Sequence, residues 1–560
     1  MTKADVLIPG QRSERDQPEG FWRESVETLS RWDVALILSV AVIAIGWLLL
    51  NLKAIEYGDP VTHWERINGL LAGDALNVRF HHDARFSIYL PSLVVRILLG
   101  DHPNLYYVVP LAAFGALAAT TYRLGARVFD RRVGLAAAML LALFPQSLRS
   151  GTQLLPGGFE ATFVVLSAYF VLSSRGSDRV FGRPFLAAIF LFLGYLAKVQ
   201  VLLYAPGLLL ALWLVSKSRR AVGTFTLTLA GMGVLEAIAY LVAPWDSPTR
   251  LDTLGGALRK WLPELATPLD LFDRYTSLPG YWMWGLASAV LGALLTWRLL
   301  KTSGRAFLMI PGSFLIVMTF GLSSLSPLRP LVHFETRFLT SVIPFMLLFL
   351  AYLVWLAGDT VRTALRGQSR ALAIVVMLVV LFVPTFWFVQ DMDPVEAGSR
   401  NTEGHHPLDL NADTYSAVSD ALRTGRTIAI SFELEEGSAD EIVGNAKRLR
   451  YVAVFYLPIE SGYRAACFVD QANQILLIAP PSTFDDSATS VSTRVAEAGD
   501  VVLIESDPDD AWWLYDVSQP SLRDVEGAEL LESVGEGIHT ISVREAGDQH
   551  MIGTLCPGTG

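Results

Sequence analysis

Repeated apolar runs of about 20 residues, the length that a helix needs to cross a bilayer core of about 30 Å, constrain this chain more than any other feature. They lie at 34–53, 104–124, 133–149, 159–174, 185–199, 200–216, 221–243, 281–300, 306–325, 338–357 and 371–390. Some of these runs are short, and 185–216 could form one kinked span. Only 18% of the residues are charged, whereas soluble domains carry about 25%. The pattern predicts a polytopic α-helical membrane protein with about eleven transmembrane helices.

Basic residues in the short loops set the predicted orientation. Lys and Arg clusters alternate with the apolar runs, near 123–132, 175–183, 217–220, 298–305 and 362–370. Cytoplasmic loops carry an excess of these residues, so we expect the loops, together with the N-terminal segment 1–32, on the cytoplasmic side of a plasma (inner) membrane. An odd number of spans then places residues 391–560 on the opposite side.

The chain divides into a membrane part and a C-terminal part. A transmembrane domain is predicted at 33–390, with outer loops at 54–103 and 244–280. A linker at 391–412 leads to a soluble, extracytoplasmic α/β domain at 413–560. Its predicted strands are 426–432, 451–456, 474–478, 500–504 and 540–543, and its predicted helices are 414–424 and 440–451. The acidity of this domain argues against nucleic acid as a partner.

Two cysteines, Cys467 and Cys556, both fall in the predicted α/β domain. An extracytoplasmic location permits a disulfide between them. Two unpaired thiols are the alternative, and the sequence does not decide between the two.

Ionisable side chains gather at the predicted outer ends of the membrane helices. Such groups are costly near lipid, so each of them calls for a functional hypothesis. The candidates are Asp59, His63, Arg66, Glu160, Lys198, His333 and Arg337. Their convergence on one face predicts a single polar cavity that meets a partly lipidic substrate.

These residue types suit a reaction on a phosphate-linked substrate. Asp59 is a candidate general base for an incoming hydroxyl. Lys198 and Arg337 are candidates to bind an anion, since Arg offers a planar fork and Lys a point charge. Glu160 would position the acceptor, or share a divalent metal (Mg²⁺ or Mn²⁺) with Asp59. A polyprenyl phosphate carrying a sugar fits such a cavity, with its tail in membrane lipid.

Each candidate also has a purely structural interpretation. Asp59-Pro60 is a common turn or helix start. Glu160 is a favourable charge at a helix N-terminus. Lys198 can snorkel to lipid headgroups, and Arg337 can anchor a span at the interface. The sequence leaves these alternatives open.

The order of these segments resembles the GT-C superfamily of membrane glycosyltransferases over roughly residues 30–390. Asp59 lies in the first outer loop, where that superfamily keeps its main catalytic acid, and Glu160 matches a second acid. Segments 69–74, 85–91, 194–198 and 333–339 resemble those of the bacterial aminoarabinose transferase and protein O-mannosyltransferase group.

The resemblance implies transfer of a sugar from a polyprenyl-phosphate donor to an extracytoplasmic lipid, glycan or protein, with inversion at the anomeric carbon. It implies catalytic roles for Asp59 and Glu160. The implied ligands of the donor phosphate are Lys198, Arg337 and Arg85, and the implied substrate contacts are His63, Arg66 and His333.

Two alternatives accompany this prediction. Segment 59–66 also resembles the first motif of oligosaccharyltransferase catalytic subunits, but Gly158 stands where that group has a further acid. The run Trp512-Trp513-Leu514-Tyr515-Asp516 only partly matches their Trp-Trp-Asp-Tyr-Gly motif. A non-enzymatic transporter or flippase of lipid-linked saccharides is the second alternative, although the sequence lacks the internal repeat that is typical of transporters.

Overall fold

The structure is a computed structural model. It describes residues 31–53, 55, 58–73, 85–174, 182–242, 265, 267, 270, 272, 275, 278–325, 328–331, 336–364, 406–424, 427–433, 454–456, 464–469, 473–479, 501–505 and 540–542.

The described membrane part is built from helices. They are α1 (Arg31–Leu50), α2 (Asp59–Leu71), α3 (Phe86–Leu99), α4 (Val108–Val128), α5 (Arg131–Leu143), α6 (Pro145–Thr152), α7 (Pro156–Leu172), α8 (Arg183–Ala197), α9 (Ala205–Ser216), α10 (Arg219–Val242), α11 (Gly280–Thr296), α12 (Thr302–Phe320) and α13 (Ile343–Ala364). Short 3₁₀ helices lie at Pro103–Tyr107, Val199–Tyr204, Thr336–Phe338 and Thr340–Val342, and a small antiparallel hairpin, β1 (Leu322–Leu325) and β2 (Leu328–Pro330), follows α12.

Helix length and composition agree with the predicted membrane part. Among the described residues, six helical segments are long and apolar enough to cross a membrane, or seven if α5 and α6, bent by 72°, form one span. Helices α3, α7, α8 and α11 are apolar but shorter. Each predicted run from 34–53 to 338–357 overlaps a helix, and 371–390 lies outside the described residues. The polytopic helical prediction is confirmed, and the count of about eleven spans stays a prediction.

A break at Lys198 separates two of the predicted spans. Lys198 has extended backbone angles (φ −157°, ψ 123°) between α8 and the 3₁₀ helix Val199–Tyr204. Pro206 then lies at the start of α9, where a missing amide hydrogen costs nothing. The break places a lysine at the end of α8 instead of inside a continuous helix.

Helices α6 and α7 pack too closely at Gly158 for any side chain. A Cβ built at Gly158 would lie 2.6 Å from the backbone oxygen of Ser150. Position 158 therefore accepts only glycine in this fold.

The C-terminal α/β prediction is confirmed for the residues described there. Helix α14 (Pro407–Thr424) precedes a five-stranded mixed sheet with the order β6-β3-β5-β4-β7. The strands are β3 (Thr427–Glu433), β4 (Arg464–Val469), β5 (Asn473–Ala479), β6 (Val501–Glu505) and β7 (Thr540–Ser542). Strands β3 and β6 are parallel and the other neighbours antiparallel. We call α14, residues 454–456 and β3–β7 the sheet domain.

Three predictions about the sheet domain need correction. Helix α14 begins at Pro407, inside the predicted linker 391–412. Strand β4 was not predicted, because its Ala-Ala-Cys centre has weak β propensity. Residues 454–456, predicted as part of a strand, are helical. The predicted helix 440–451 and Cys556 lie outside the described residues.

The sheet domain docks on α2, and its contacts explain the helical turn at 454–456. Phe455 stacks on Trp64, with ring centroids 5.9 Å apart and planes 12° apart. The Asn68 side chain donates a hydrogen bond of 2.7 Å to the backbone oxygen of Val454. Since Val454, Phe455 and Tyr456 are all buried, tertiary packing outweighs the β propensity of these residues.

Candidate functional site

Helix α2 presents a polar face opposite the face that holds the sheet domain. Asp59, His63 and Arg66 are spaced four and three residues apart, so they lie on one side of the helix. Trp64 and Asn68 lie on the other. Asp59 and Pro60 open the helix after Gly58, whose φ of 112° suits glycine. The interpretation of Asp59-Pro60 as a helix start is therefore correct, and it leaves the carboxylate at the helix N-terminus.

Arg85 joins this face from the start of α3. Its Nη1 lies 3.6 Å from Oδ2 of Asp59 and donates a hydrogen bond of 2.7 Å to Nε2 of His63. One helical turn further, the hydroxyl of Tyr89 lies 3.2 Å from Nδ1 of the same imidazole. The Arg85 guanidinium therefore contacts two residues of α2, Asp59 and His63.

Burial keeps the His63 imidazole neutral. His63 has no exposed surface, and burial, followed by the positive charge of Arg85, lowers its pKa to about 3. The negative charge of Asp59 acts in the opposite direction but does not compensate.

A second group of contacts is centred on Glu160 in α7. The Glu160 side chain is fully buried, and Nζ of Lys198 lies 3.7 Å from its Oε2. Gln200 donates to both carboxylate oxygens at 2.8 and 2.9 Å, and Ser341 donates to Oε1 at 2.7 Å. The Tyr204 hydroxyl donates in turn to Ser341 at 2.9 Å.

Lys198 connects the two groups of contacts. Its ammonium donates a 3.0 Å hydrogen bond to the backbone oxygen of Arg337. The charges of Glu160, Arg85, Arg337 and Asp59 all act on this ammonium. The structure thus brings together five charged residues from separate segments. We call Asp59, Arg85, Glu160, Lys198 and Arg337 the charge cluster.

Exposure changes across the charge cluster. Side-chain exposure rises from 0% at Glu160 through 12% at Lys198 to 39% at Asp59, and Arg337 is exposed. The buried end holds Lys198 in place, whereas the open end presents a carboxylate beside cations. Such an end can bind an anion and accept a proton from a neighbouring group.

The residues of the charge cluster do not fit a metal site at Glu160. A carboxylate has about four acceptor directions, and those of Glu160 are directed at Gln200, Ser341 and Lys198. Within the described part of the chain, no group of three or more His, Cys, Asp or Glu side chains could hold a metal ion. We therefore assign no step to a metal shared by Asp59 and Glu160.

Arg66 and His333 are the two other residues that were predicted to contact the substrate. Arg66 lies partly exposed on the polar face of α2, and His333 lies outside the described residues. Sequence reasoning did not identify Tyr89, Gln200, Tyr204 or Ser341. The available signal was polarity, because Gln200 lies two residues after Lys198 in an otherwise apolar stretch.

Fold and site together define a polytopic helical membrane protein with a charge cluster at the end that carries the sheet domain. No protein-family model matches the chain, and no curated protein matches it in sequence.

Solved structures of two kinds resemble its fold. The apo oligosaccharyltransferase of Archaeoglobus fulgidus is 14% identical, with a TM-score of 0.45 over 71% of this chain and 58% of that one. The same enzyme, AglB, in complex with an inhibitory peptide and a dolichol-phosphate is 13% identical, with a TM-score of 0.43 over 70% of this chain and 58% of that one. ArnT from Cupriavidus metallidurans bound to undecaprenyl phosphate is 11% identical, with a TM-score of 0.42 over 70% of this chain and 80% of that one.

This chain therefore spans less than two thirds of the length of the archaeal enzyme. The likeness concerns the fold alone. Both kinds of protein are among those that the sequence resemblance named.

Proposed function

We propose that this protein is an integral-membrane glycosyltransferase that moves a sugar from a polyprenyl-phosphate donor to an extracytoplasmic lipid, glycan or protein acceptor. The observation that supports it most is the charge cluster, in which a half-buried carboxylate lies beside cations at the end of the membrane helices. The sequence resemblance to GT-C enzymes supports the same reaction.

The cations are suited to the donor phosphate. Arg85 lies beside Asp59 and Lys198 beside Glu160, and the charge of Arg337 also acts on Lys198, so the three cations outnumber the two carboxylates. A guanidinium can contact two phosphate oxygens at once, and an ammonium adds a compact charge. We infer that the phosphate binds at the open end, between Arg85, Lys198 and Arg337, while the prenyl tail lies in membrane lipid.

Asp59 is suited to be the general base. Its carboxylate is accessible, and it is held near Arg85, where the phosphate would lie. The acceptor hydroxyl would give its proton to Asp59 as its oxygen forms a bond to the anomeric carbon. The bond between that carbon and the phosphate oxygen breaks at the same time, and the phosphate leaves with the electron pair. Attack from the side opposite the phosphate inverts the anomeric centre.

Glu160 has a different proposed role from Asp59. Because it is fully buried and already accepts hydrogen bonds from Gln200 and Ser341, it acts as a positioning residue for Lys198. Arg66 and His333 stay proposed substrate contacts.

We further propose that the charge cluster and the sheet domain lie outside the cytoplasm, in a plasma (inner) membrane protein with a cytoplasmic N-terminus. The alternation of basic loops with apolar runs supports this orientation. The docking of the sheet domain beside α2 is consistent with a role as an acceptor-side element.

The experiment is sugar transfer by the purified full chain in lipid nanodiscs, with a panel of polyprenyl-phosphate sugars. Asp59→Asn should lower kcat by about 10²-fold or more, because general base catalysis contributes about that much. Asp420→Asn is the matched control, since it changes an exposed aspartate in α14 that pairs with Arg423. Equal activity of Asp59→Asn and the wild type would refute the assignment. Lipid scrambling without transfer would favour a flippase.

A further inference from the structure

His63 is a fully buried polar group that the proposed reaction does not use directly. Burying an imidazole is unfavourable unless its nitrogens are hydrogen-bonded. Here Nε2 faces Arg85 and Nδ1 faces Tyr89. A leucine of similar volume would fill the same space without the free-energy cost of burying a polar group. The two hydrogen bonds are therefore the property that histidine has and leucine lacks at this position.

The hydrogen-bond donors determine the protonation state of the ring. A guanidinium has N–H donors and no acceptor, so Nε2, at 2.7 Å from Nη1 of Arg85, must be the unprotonated acceptor. The proton of a neutral ring is then on Nδ1, directed at the Tyr89 oxygen 3.2 Å away. The contacts therefore specify one tautomer of a neutral histidine.

The hydrogen bond between Arg85 and His63 affects the contact between Arg85 and Asp59. Arg85 Nη1 lies 2.7 Å from Nε2 of the neutral imidazole and 3.6 Å from Oδ2 of Asp59. A tight bidentate ion pair would use the guanidinium fork on Asp59 and would occupy the carboxylate. The 3.6 Å contact is longer than such a pair, so the positive charge of Arg85 can still attract an anion, and the Asp59 side chain keeps 39% of its surface exposed.

We propose that His63 is a positioning residue, a neutral imidazole whose Nε2 holds the Arg85 guanidinium between Asp59 and the phosphate of the donor. It touches neither the reacting carbon nor the incoming hydroxyl, and it acts through Arg85. The inference rests on the proposed function, because the ligand that Arg85 would hold is the donor phosphate.

Two variants of similar volume separate positioning from packing. His63→Leu removes the acceptor, whereas His63→Gln keeps an oxygen acceptor with a reach close to that of Nε2. The readout is the Kd of undecaprenyl phosphate for the full chain in nanodiscs, together with KM and kcat for the transfer reaction.

We expect His63→Leu to raise Kd and KM by about tenfold or more, the effect of a lost hydrogen bond to a charged group. His63→Gln should stay within about threefold of the wild type. In an Arg85→Ala background the two variants should bind the phosphate equally, because the partner through which His63 acts is gone.

The outcomes distinguish this inference from the proposed function. If the wild type binds undecaprenyl phosphate and the Leu and Gln variants differ as expected, but no donor supports transfer, the proposed function fails and the positioning role stands. The positioning role would be overturned if His63→Leu and His63→Gln lost phosphate binding equally. It would also be overturned if His63→Leu kept its full effect in the Arg85→Ala background, or if the wild type did not bind the phosphate.

Discussion

Lys198 and Glu160 form a buried ion pair, with Nζ 3.7 Å from Oε2 and no exposed surface on the glutamate side chain. Two charges removed from water are stable only when each compensates the other. Gln200 and Ser341 add hydrogen bonds to the same carboxylate. The pair therefore holds Lys198 in one place at the junction of α8 and the following 3₁₀ helix.

Removing one partner of this pair should destabilise the protein. Glu160→Leu leaves the Lys198 ammonium without its carboxylate, a change that costs about 3–5 kcal/mol in buried pairs. We expect a marked fall in the apparent unfolding temperature of the purified protein, followed by tryptophan fluorescence. The double variant Glu160→Leu with Lys198→Met should recover part of the loss. A single variant as stable as the wild type would show that the pair contributes nothing to folding.

Arg337 should affect donor binding more than turnover. It lies at the exposed end of the charge cluster, where its charge acts on Lys198. Arg337→Ala should raise the KM of the donor by about tenfold, the effect of about 1.4 kcal/mol of lost binding energy, with little change in kcat. Arg423→Ala is the control, since Arg423 is an exposed arginine in α14. An unchanged KM would remove Arg337 from the phosphate site.

His63 should make the stability of the protein fall in acid. Its pKa is about 3 in the fold, against 6.5 for an ordinary histidine side chain, so the unfolded chain binds more protons between these two pH values. This contribution is complete above pH 6.5 and is lost as the pH falls towards 3. Arg85 and Tyr89 from the α3 segment and Asp59 on α2 face or act on the ring.

The check is the apparent unfolding temperature of the wild type and His63→Gln at a series of pH values from 7.5 to 4.5. Carboxylates titrate in both proteins, so the difference between the two curves isolates His63. We expect the unfolding temperature of the wild type to fall relative to that of His63→Gln as the pH falls, because only the wild type carries the titrating imidazole. Parallel curves would contradict a depressed histidine pKa.

Packing of Phe455 should hold the sheet domain against α2. Its ring stacks on Trp64 and meets the edge of Tyr106, with centroids 5.6 Å apart in the second pair. Phe455→Ala removes a buried aromatic, a change that costs about 3–5 kcal/mol in well-packed cores. Limited proteolysis should then release the sheet domain faster, and transfer activity should fall as α2 loses its support. Phe455→Leu is the milder control. Unchanged protease resistance would contradict the docking.

The helical membrane part and the position of Asp59 and Lys198 near helix ends were predictable from the sequence, because apolar runs and charges near their ends are local signals. Arg85 was predicted only through the family resemblance. The hydrogen-bond partners of Glu160 were not predictable from local signals. Its partners Gln200 and Ser341 are 40 and 181 residues away along the chain, and only folding brings them to it. The helical turn at 454–456 has the same cause, since its conformation depends on contacts with Trp64 and Asn68.

Helix α2 has the sheet domain on one side and the charge cluster on the other, so one helix of 13 residues contacts both of the proposed binding surfaces. Binding free energies at two such surfaces are reciprocal. If an acceptor held by the sheet domain changes the position of α2, it must change the affinity of Arg85 for the donor by the same factor as the donor changes the affinity for that acceptor. Measuring the affinity of either ligand in the presence of the other should therefore give the same coupling factor.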